Sequence, residues 1–309
     1  MKKMIPICFY PTRKIVLDDD NIFSESILLK MNNKVFSAYT SPDNLLNYLL
    51  KEYHPIFSQS DLFETNEKSS ELAMYHNFQI PTKKLCSIVA SPLVNDISVI
   101  LVDYHMPSMT GIDFLNQTIN YPFKKILITG EQDYSIGIDA LNAGLIDAYI
   151  RKDDPCLLNN LNTLVNALEW KYFTDLSAAA YNFSEFDYLA NSVLLEKFQQ
   201  YILENKITAF FLENKEGDFS GVNFSGEKKN FIVRNKKKLQ ELAILAEEDG
   251  ASKEIVTHLM RAEVIPFFGN KQYWEIPAIK WDSFLYPANL LANDANFVWS
   301  VIPTHTINN

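Results

Sequence analysis

The segment VILVDYHMPSMTG at residues 99–111 decides the fold of the first half of the chain. Its first four residues are Val, Ile, Leu and Val, a run that predicts a strand buried on both faces. This strand ends at Asp103, and Pro107 and Gly111 then break the chain before an apolar-periodic helix over residues 112–119. A buried strand that leads through a short loop into a helix is typical of a parallel α/β sheet.

The same alternation of strand and helix continues on both sides of this segment. Further strands are predicted at residues 14–17, 34–39, 125–129 and 148–150. Helices are predicted at residues 21–31, from Pro42 onward, at 134–143 and from Pro155 onward. We therefore predict that residues 1–170 form a flavodoxin-like, doubly wound α/β domain with five parallel strands.

Polar side chains follow these strands at the points where the strands end. Asp18, Asp19 and Asp20 follow the first strand, Asp103 ends the third, Thr129 ends the fourth, and Lys152 follows the fifth. Taken singly, each of these residues is more often a solvated turn or a surface charge. Because the carboxyl ends of neighbouring parallel strands converge on one crevice, we expect them to meet there.

The combination of carboxylates, a hydroxyl and an ammonium at these strand ends indicates a particular reaction. Close carboxylates cannot all stay ionised without a cation among them, and Mg²⁺ prefers such oxygen ligands. Asp103 can then attack a phosphoryl group as a nucleophile. Thr129 and Lys152 would bind the oxygens of that group. The residues therefore predict phosphoryl transfer to Asp103.

Four segments resemble the receiver domain of bacterial two-component response regulators. They are IVLDDD at 15–20, VILVDYHMPSMTG at 99–111, ILITGE at 126–131 and ALNAGLIDAYIRK at 140–152. The resemblance implies that a histidine kinase phosphorylates Asp103. It also implies that Asp18, Asp19, Asp103 and the backbone carbonyl of His105 hold Mg²⁺.

The resemblance further implies a switch. Thr129 and Tyr149 match the hydroxyl and the aromatic side chain that rearrange on phosphorylation, and Lys152 matches the lysine that pairs with the acceptor. More narrowly, the chain resembles the response regulator of the Legionella quorum-sensing system and its relatives. That subgroup implies a role in quorum sensing and a homodimer that forms on phosphorylation.

Two features depart from the family pattern. Asp153 stands after Lys152 where the family usually has a proline, so the turn that places Lys152 is in question, and so is whether its peptide bond is cis. Asp19 and Asp103 are also further apart than the intervening elements require, which predicts an insertion at about residues 56–96.

Residues 171–309 predict a separate α+β output domain whose activity the sequence does not reveal. A helical stretch is predicted at 183–205, an antiparallel meander at 207–213, 218–224 and 230–233, helices at 236–248 and 253–261, and a closing strand at 296–302. No enzyme motif is present, so we predict a non-enzymatic protein. Acidic residues 247–249 at the junction of the two helices argue against a helix-turn-helix.

Composition and charge limit the partners and the cellular location that we expect for the protein. The chain of 309 residues carries a net charge of −10, and both halves are acidic, which disfavours nucleic-acid binding without excluding a local DNA-reading face. It has three cysteines and no apolar run long enough to span a membrane, and residues 1–10 make a poor secretion signal. We expect a cytoplasmic protein without a membrane partner.

Two alternatives to a phosphorylation switch stay open at this point. The first is a receiver-like scaffold that acts without phosphorylation, which Asp153 motivates. The second is a receiver that regulates a nucleic-acid-binding or enzymatic C-terminal domain.

Overall fold

The computed structural model describes residues 4–31, 35–57, 82–89, 95–130, 134–269, 271–291 and 294–303. The chain clusters into two compact units. The parallel-sheet unit comprises residues 10–77 and 91–177, and the antiparallel-sheet unit comprises residues 1–9, 78–90 and 178–309. No described helix is both long enough and apolar enough to cross a membrane.

In chain order the strands are β1 (Cys8–Phe9), β2 (Arg13–Leu17), β3 (Phe36–Tyr39), β4 (Ile97–Asp103), β5 (Lys124–Thr129), β6 (Ala148–Arg151), β7 (Ile207–Leu212), β8 (Asp218–Asn223), β9 (Lys228–Asn235), β10 (Val264–Pro266), β11 (Leu285–Pro287), β12 (Asn289–Leu291) and β13 (Asp294–Pro303). The α-helices are α1 (Asn21–Lys30), α2 (Pro42–Lys51), α3 (Thr82–Val89), α4 (Gly111–Gln117), α5 (Tyr134–Asn142), α6 (Leu157–Leu176), α7 (Ser192–Glu204), α8 (Lys236–Glu248) and α9 (Lys253–Met260).

The parallel sheet has the strand order β3-β2-β4-β5-β6, which confirms the predicted doubly wound fold. Every residue of β4 and β5 is buried, as expected for strands covered on both faces. Alternate residues of β4 enter two separate hydrophobic cores, with Ile100 in one and Leu101 in the other. The chain reverses its strand order between β2 and β4, and in such sheets the ligand crevice opens at this point.

Side chains at the helix ends explain where the helices of this unit begin. Asp20 accepts hydrogen bonds from the first backbone N–H groups of α1, and Ser41 caps α2 ahead of Pro42. Thr110 and Asp113 form a reciprocal capping box at the start of α4. Gly144 has a φ of 69°, so its left-handed backbone follows the end of α5.

The antiparallel-sheet unit contains a six-stranded sheet in the order β1-β7-β8-β9-β13-β12 and a separate pair, β10 and β11. The predicted meander is present as β7, β8 and β9, and the predicted closing strand as β13. Phe198 of α7 packs against the rings of Phe210, Phe219 and Phe231, which lie on the three meander strands. The unit is therefore α+β, as the sequence predicts.

The helical stretch predicted at residues 183–205 is interrupted. Residues Ser184–Ala190 form 3₁₀ turns, and Asn191 is extended and caps α7 with its side chain. The Asn191 side chain accepts a hydrogen bond from the Leu194 N–H, so a new helix begins after Asn191 and the predicted stretch is divided in two. Strands β1, β10, β11 and β12 are two or three residues long and were not predicted.

The unit boundaries also differ from the predicted division at residue 170. Helix α6 continues to Leu176, because Tyr172, Phe173 and Leu176 remain buried in its last turns. Strand β1 pairs with β7, and α3 packs against β7, so both lie in the antiparallel-sheet unit. Of the predicted insertion at 56–96, residues 58–81 and 90–94 lie outside the described part of the chain.

Candidate functional site

The three aspartates after β2 have three different roles. Asp18 is fully buried, and its Oδ1 atom accepts a hydrogen bond from the Asp20 N–H at 2.9 Å. Asp20 turns outward and caps α1 through the N–H groups of Ile22 and Phe23. Asp19 is exposed at the edge of the crevice. Asp18 and Asp20 therefore make hydrogen bonds within this local segment, whereas Asp19 is exposed beside them.

Asp103 ends β4 and is 4% exposed. A side chain at Gly111 would place its Cβ atom 2.3 Å from the Asp103 carbonyl oxygen, so this position accepts no larger residue without movement. The Gly111 N–H donates to the Tyr104 carbonyl at 2.8 Å, which closes the loop after β4. The spacing between Asp103 and Gly111 thus comes from a tight backbone approach.

Asp18, Asp19 and Asp103 come together as the sequence predicts. One carboxylate oxygen from each lies within 4.8 Å of the others, a geometry in which they could hold a metal ion. His105 lies in the loop after β4 with an exposed side chain, and its backbone carbonyl as a fourth ligand remains a prediction.

Lys152 bridges two of these carboxylates. Its Nζ atom is 2.9 Å from Asp18 Oδ2 and 2.9 Å from Asp103 Oδ1. The same ammonium lies over the ring of Phe23, 4.9 Å from its centroid. The backbone N–H of Lys152 donates to the Thr129 carbonyl, which ties the end of β6 to β5.

Asp153 does not disturb this placement. Its carboxylate accepts a hydrogen bond from Arg151 Nε at 2.8 Å on the surface of the unit. All peptide bonds in the described residues are trans, including the one between Lys152 and Asp153. The missing proline therefore leaves Lys152 in the crevice, which settles the question that the sequence raised.

Burial shifts the protonation equilibria of the site. Burial raises the pKa of Asp103; the Lys152 hydrogen bond opposes this rise, and the charges of Asp18 and Asp19 add to it. The pKa of Asp18 is raised for the same leading reason. Burial alone would lower the pKa of Lys152, but its bonds to the two carboxylates outweigh burial and raise it. The buried carboxylates thus lack full compensation by Lys152.

The residues present fit a hard divalent cation. Three carboxylates against one ammonium leave an excess of two negative charges if all are ionised, and carboxylate oxygens are the ligands that Mg²⁺ prefers. Thr129, at the end of β5, is fully buried, and its Oγ1 atom has no hydrogen-bond partner among the described residues. An unpartnered buried hydroxyl at the end of the strand next to β4 is suited to an incoming oxygen-rich ligand.

Tyr149 lies on β6 and is half-buried against α5. A Cβ atom on Gly137 of α5 would lie 3.0 Å from Tyr149 Cγ, so the glycine makes room for the ring. Sequence reasoning did not identify Gly137 or Phe23. A glycine inside a predicted helix was the available signal for Gly137, whereas Phe23 gave only its helical periodicity.

The sheet order matches the fold of a receiver domain, and the chain resembles bacterial two-component response regulators. Over 98% of its length it superimposes on 90% of the Legionella pneumophila response regulator LqsR, with 25% sequence identity and a TM-score of 0.78. A response regulator receiver domain protein from Clostridium thermocellum matches 51% of this chain and 94% of its own, with 18% identity and a TM-score of 0.34. No protein-family model and no curated protein matches the sequence.

Proposed function

We propose that the protein is a cytoplasmic response regulator that a histidine kinase switches by phosphorylating Asp103. The observation that carries this proposal is the position of Lys152, which is 2.9 Å from both Asp103 and Asp18. Thr129, whose hydroxyl has no partner among the described residues, ends the neighbouring strand β5. The ends of these strands thus carry a phosphoryl acceptor, Asp103, a positively charged side chain that can bind the transferred group, Lys152, and a hydroxyl donor, Thr129.

In the proposed reaction, a carboxylate oxygen of Asp103 attacks the phosphorus of a phosphohistidine. A P–O bond forms, the P–N bond breaks, and the imidazole leaves with the electron pair of that bond and takes up a proton. Mg²⁺ bound by Asp18, Asp19 and Asp103, with the His105 carbonyl, would offset negative charge on the phosphoryl oxygens. Lys152 exchanges its contact with Asp103 for one with the phosphoryl group.

The switch follows from the same residues. Thr129 donates its hydroxyl to a phosphoryl oxygen, and Tyr149 moves away from Gly137 into the space that Thr129 leaves. Tyr149 lines an open cavity of about 660 Å³ beside β6 and α6, so its movement changes that surface. We propose that this change favours a homodimer, in the manner of a local charge event that biases a two-state element.

The sequence resemblance to the Legionella quorum-sensing regulator supports quorum sensing as the signalling context, and a kinase of such a system as the partner. The structural similarity to LqsR over nearly the whole chain is consistent with this proposal.

Phosphorylation can be tested by incubating the full chain with acetyl phosphate and Mg²⁺ and measuring intact mass. We expect one added phosphoryl group on the wild type and on Asp139→Asn, a matched change at an exposed aspartate of α5. We expect none on Asp103→Asn. Addition that persists in Asp103→Asn would refute the assignment, and no addition to the wild type would favour a phosphorylation-independent scaffold.

Dimerisation is tested separately by light scattering on the phosphorylated sample. A mass that stays that of the monomer would overturn the proposed output while leaving the phosphoacceptor assignment intact.

A further inference from the structure

The antiparallel-sheet unit contains a cavity of about 190 Å³ that is separate from the acidic site. It lies between the 3₁₀ turns of Ser184–Ala190, the loop before β8, and the β9–α8 junction. Its volume corresponds to roughly six water molecules at ~30 Å³ each. The cavity thus has the size of a small metabolite.

Tyr188 lines this cavity and provides its most informative group. The side chain is 4% exposed, and its ring is held between those of Phe186 and Phe297. In the part of the chain that the structure describes, no group hydrogen-bonds its hydroxyl. Because burial raises the pKa of Tyr188 far above its usual range, the hydroxyl stays protonated and can donate. A buried donor without a partner is costly, and Tyr188 is one of the residues that line the cavity.

The other polar groups of the cavity carry charges of both signs. Glu185 and Lys215 pair with each other at 3.4 Å and so compensate one another. Asp187, Glu216 and Lys238 also line the cavity, are exposed, and have no ion pair among the described residues. A simple anion would meet two carboxylates here, and a simple cation would meet Lys238. A molecule with one group of each sign can satisfy both.

We propose that this cavity binds a small zwitterion of the amino-acid class. Its ammonium group faces Asp187 and Glu216, and its carboxylate faces Lys238 and accepts a hydrogen bond from Tyr188. The site would make the antiparallel-sheet unit a ligand sensor, and it does not depend on phosphorylation of Asp103.

Isothermal titration of the full chain with L-alanine, L-glutamate and L-lysine tests this proposal, with propionate and propylamine as single-charge probes. We expect saturable binding of at least one amino acid and weaker binding of both single-charge probes. Saturable binding of none of the three amino acids at millimolar concentration would overturn the proposal, as would a single-charge probe that binds as tightly as the best amino acid.

Substitutions separate a ligand contact from a structural role. Tyr188→Phe removes only the hydroxyl, so we expect binding to weaken about tenfold while the melting temperature of the free protein stays equal or rises. Lys238→Met should weaken binding similarly, whereas Lys237→Met, one residue along the same helix and outside the cavity, should not. Unchanged binding in Tyr188→Phe, together with a lower melting temperature, would show that the hydroxyl is structural and contradict the site.

Discussion

The two ends of strand β4 each carry a buried aspartate, yet the two carboxylates have different surroundings. Asp96, directly before β4, accepts hydrogen bonds from the hydroxyls of Tyr10, Tyr53 and Tyr172 at 3.0, 2.8 and 2.9 Å. Asp103, the last residue of β4, faces two other carboxylates and a single lysine. Burial raises the pKa of both aspartates.

The comparison shows that burial and a shifted pKa do not by themselves mark a functional site. The difference lies in whether the protein supplies the partners. At Asp96 three hydroxyls and the Ile97 N–H point at one carboxylate, so the group is satisfied internally. At Asp103 the negative charges exceed the positive ones, and Thr129, at the end of the neighbouring strand, has a hydroxyl with no described partner. Such a site is suited to completion by a ligand.

We expect the largest effect on stability at Asp96. Asp96→Asn replaces one acceptor oxygen by an NH₂ group that faces tyrosine donors, so we expect the free energy of unfolding to fall by about 2–4 kcal/mol. Urea denaturation at neutral pH measures this loss. A change below the error of the fit would mean that the tyrosine cluster is not structural.

The same substitution of aspartate by asparagine should have the opposite effect on stability at Asp103. Asp103→Asn removes a buried charge next to two like charges, and we expect the unfolding free energy without Mg²⁺ to rise by about 1 kcal/mol. Urea denaturation of the same preparations compares it with Asp96→Asn. A clear destabilisation by Asp103→Asn would show that both carboxylates are structural and would remove the contrast.

The pH dependence sharpens this prediction. Folding raises the pKa of Asp103 above its usual value near 3.8, so the ionised carboxylate destabilises the folded protein. This destabilisation is absent below pH 3.8 and grows as the pH rises through the folded-state pKa. The advantage of Asp103→Asn over the wild type should therefore be small in acid and increase toward neutral pH. Melting curves of both proteins across this range measure it, and an advantage that shrinks with rising pH would contradict the sign.

A smaller effect is expected at the packing of the switch residue. Gly137→Ala brings a methyl group to about 3 Å from the Tyr149 ring, so we expect a loss of about 1 kcal/mol. In a Tyr149→Ala background the same change should become neutral or stabilising, because alanine favours a helix over glycine by up to about 1 kcal/mol. Denaturation of the four proteins completes the cycle, and equal effects in both backgrounds would exclude the contact.

The smallest expected effect on stability is at Thr129. Thr129→Val replaces a hydroxyl that has no partner among the described residues by a methyl group of similar size, so the unfolding free energy should be unchanged or slightly higher. The phosphorylated variant should form less dimer than the wild type by light scattering. A marked loss of stability would reveal a structural bond for this hydroxyl.

The parallel sheet and its site were readable from the sequence because each strand is a short apolar run and each site residue stands at a strand end. Position along the chain thus fixed the position of Asp103, Thr129 and Lys152 at one edge. The inward turn of Asp18 and the outward turn of Asp20 were not readable, because three adjacent aspartates look alike in sequence and only helix capping separates them.

The antiparallel sheet was predicted less completely for a physical reason. Strands β1 and β12 are two and three residues long, too short to leave a periodic pattern, and β1 also pairs with a strand far along the chain. The cavity that Tyr188 lines is formed by residues from separate segments, so no local spacing in the sequence predicts it.

Binding of Mg²⁺ tests the central claim most directly, since the claim is that the acidic end of β4 is completed by a cation. Calorimetric titration of the full chain should show saturable binding to one site, which is lost in Asp19→Asn and retained in Asp153→Asn, an exposed change outside the carboxylate cluster. The absence of saturable binding in the wild type, or equal binding in Asp19→Asn, would contradict the account.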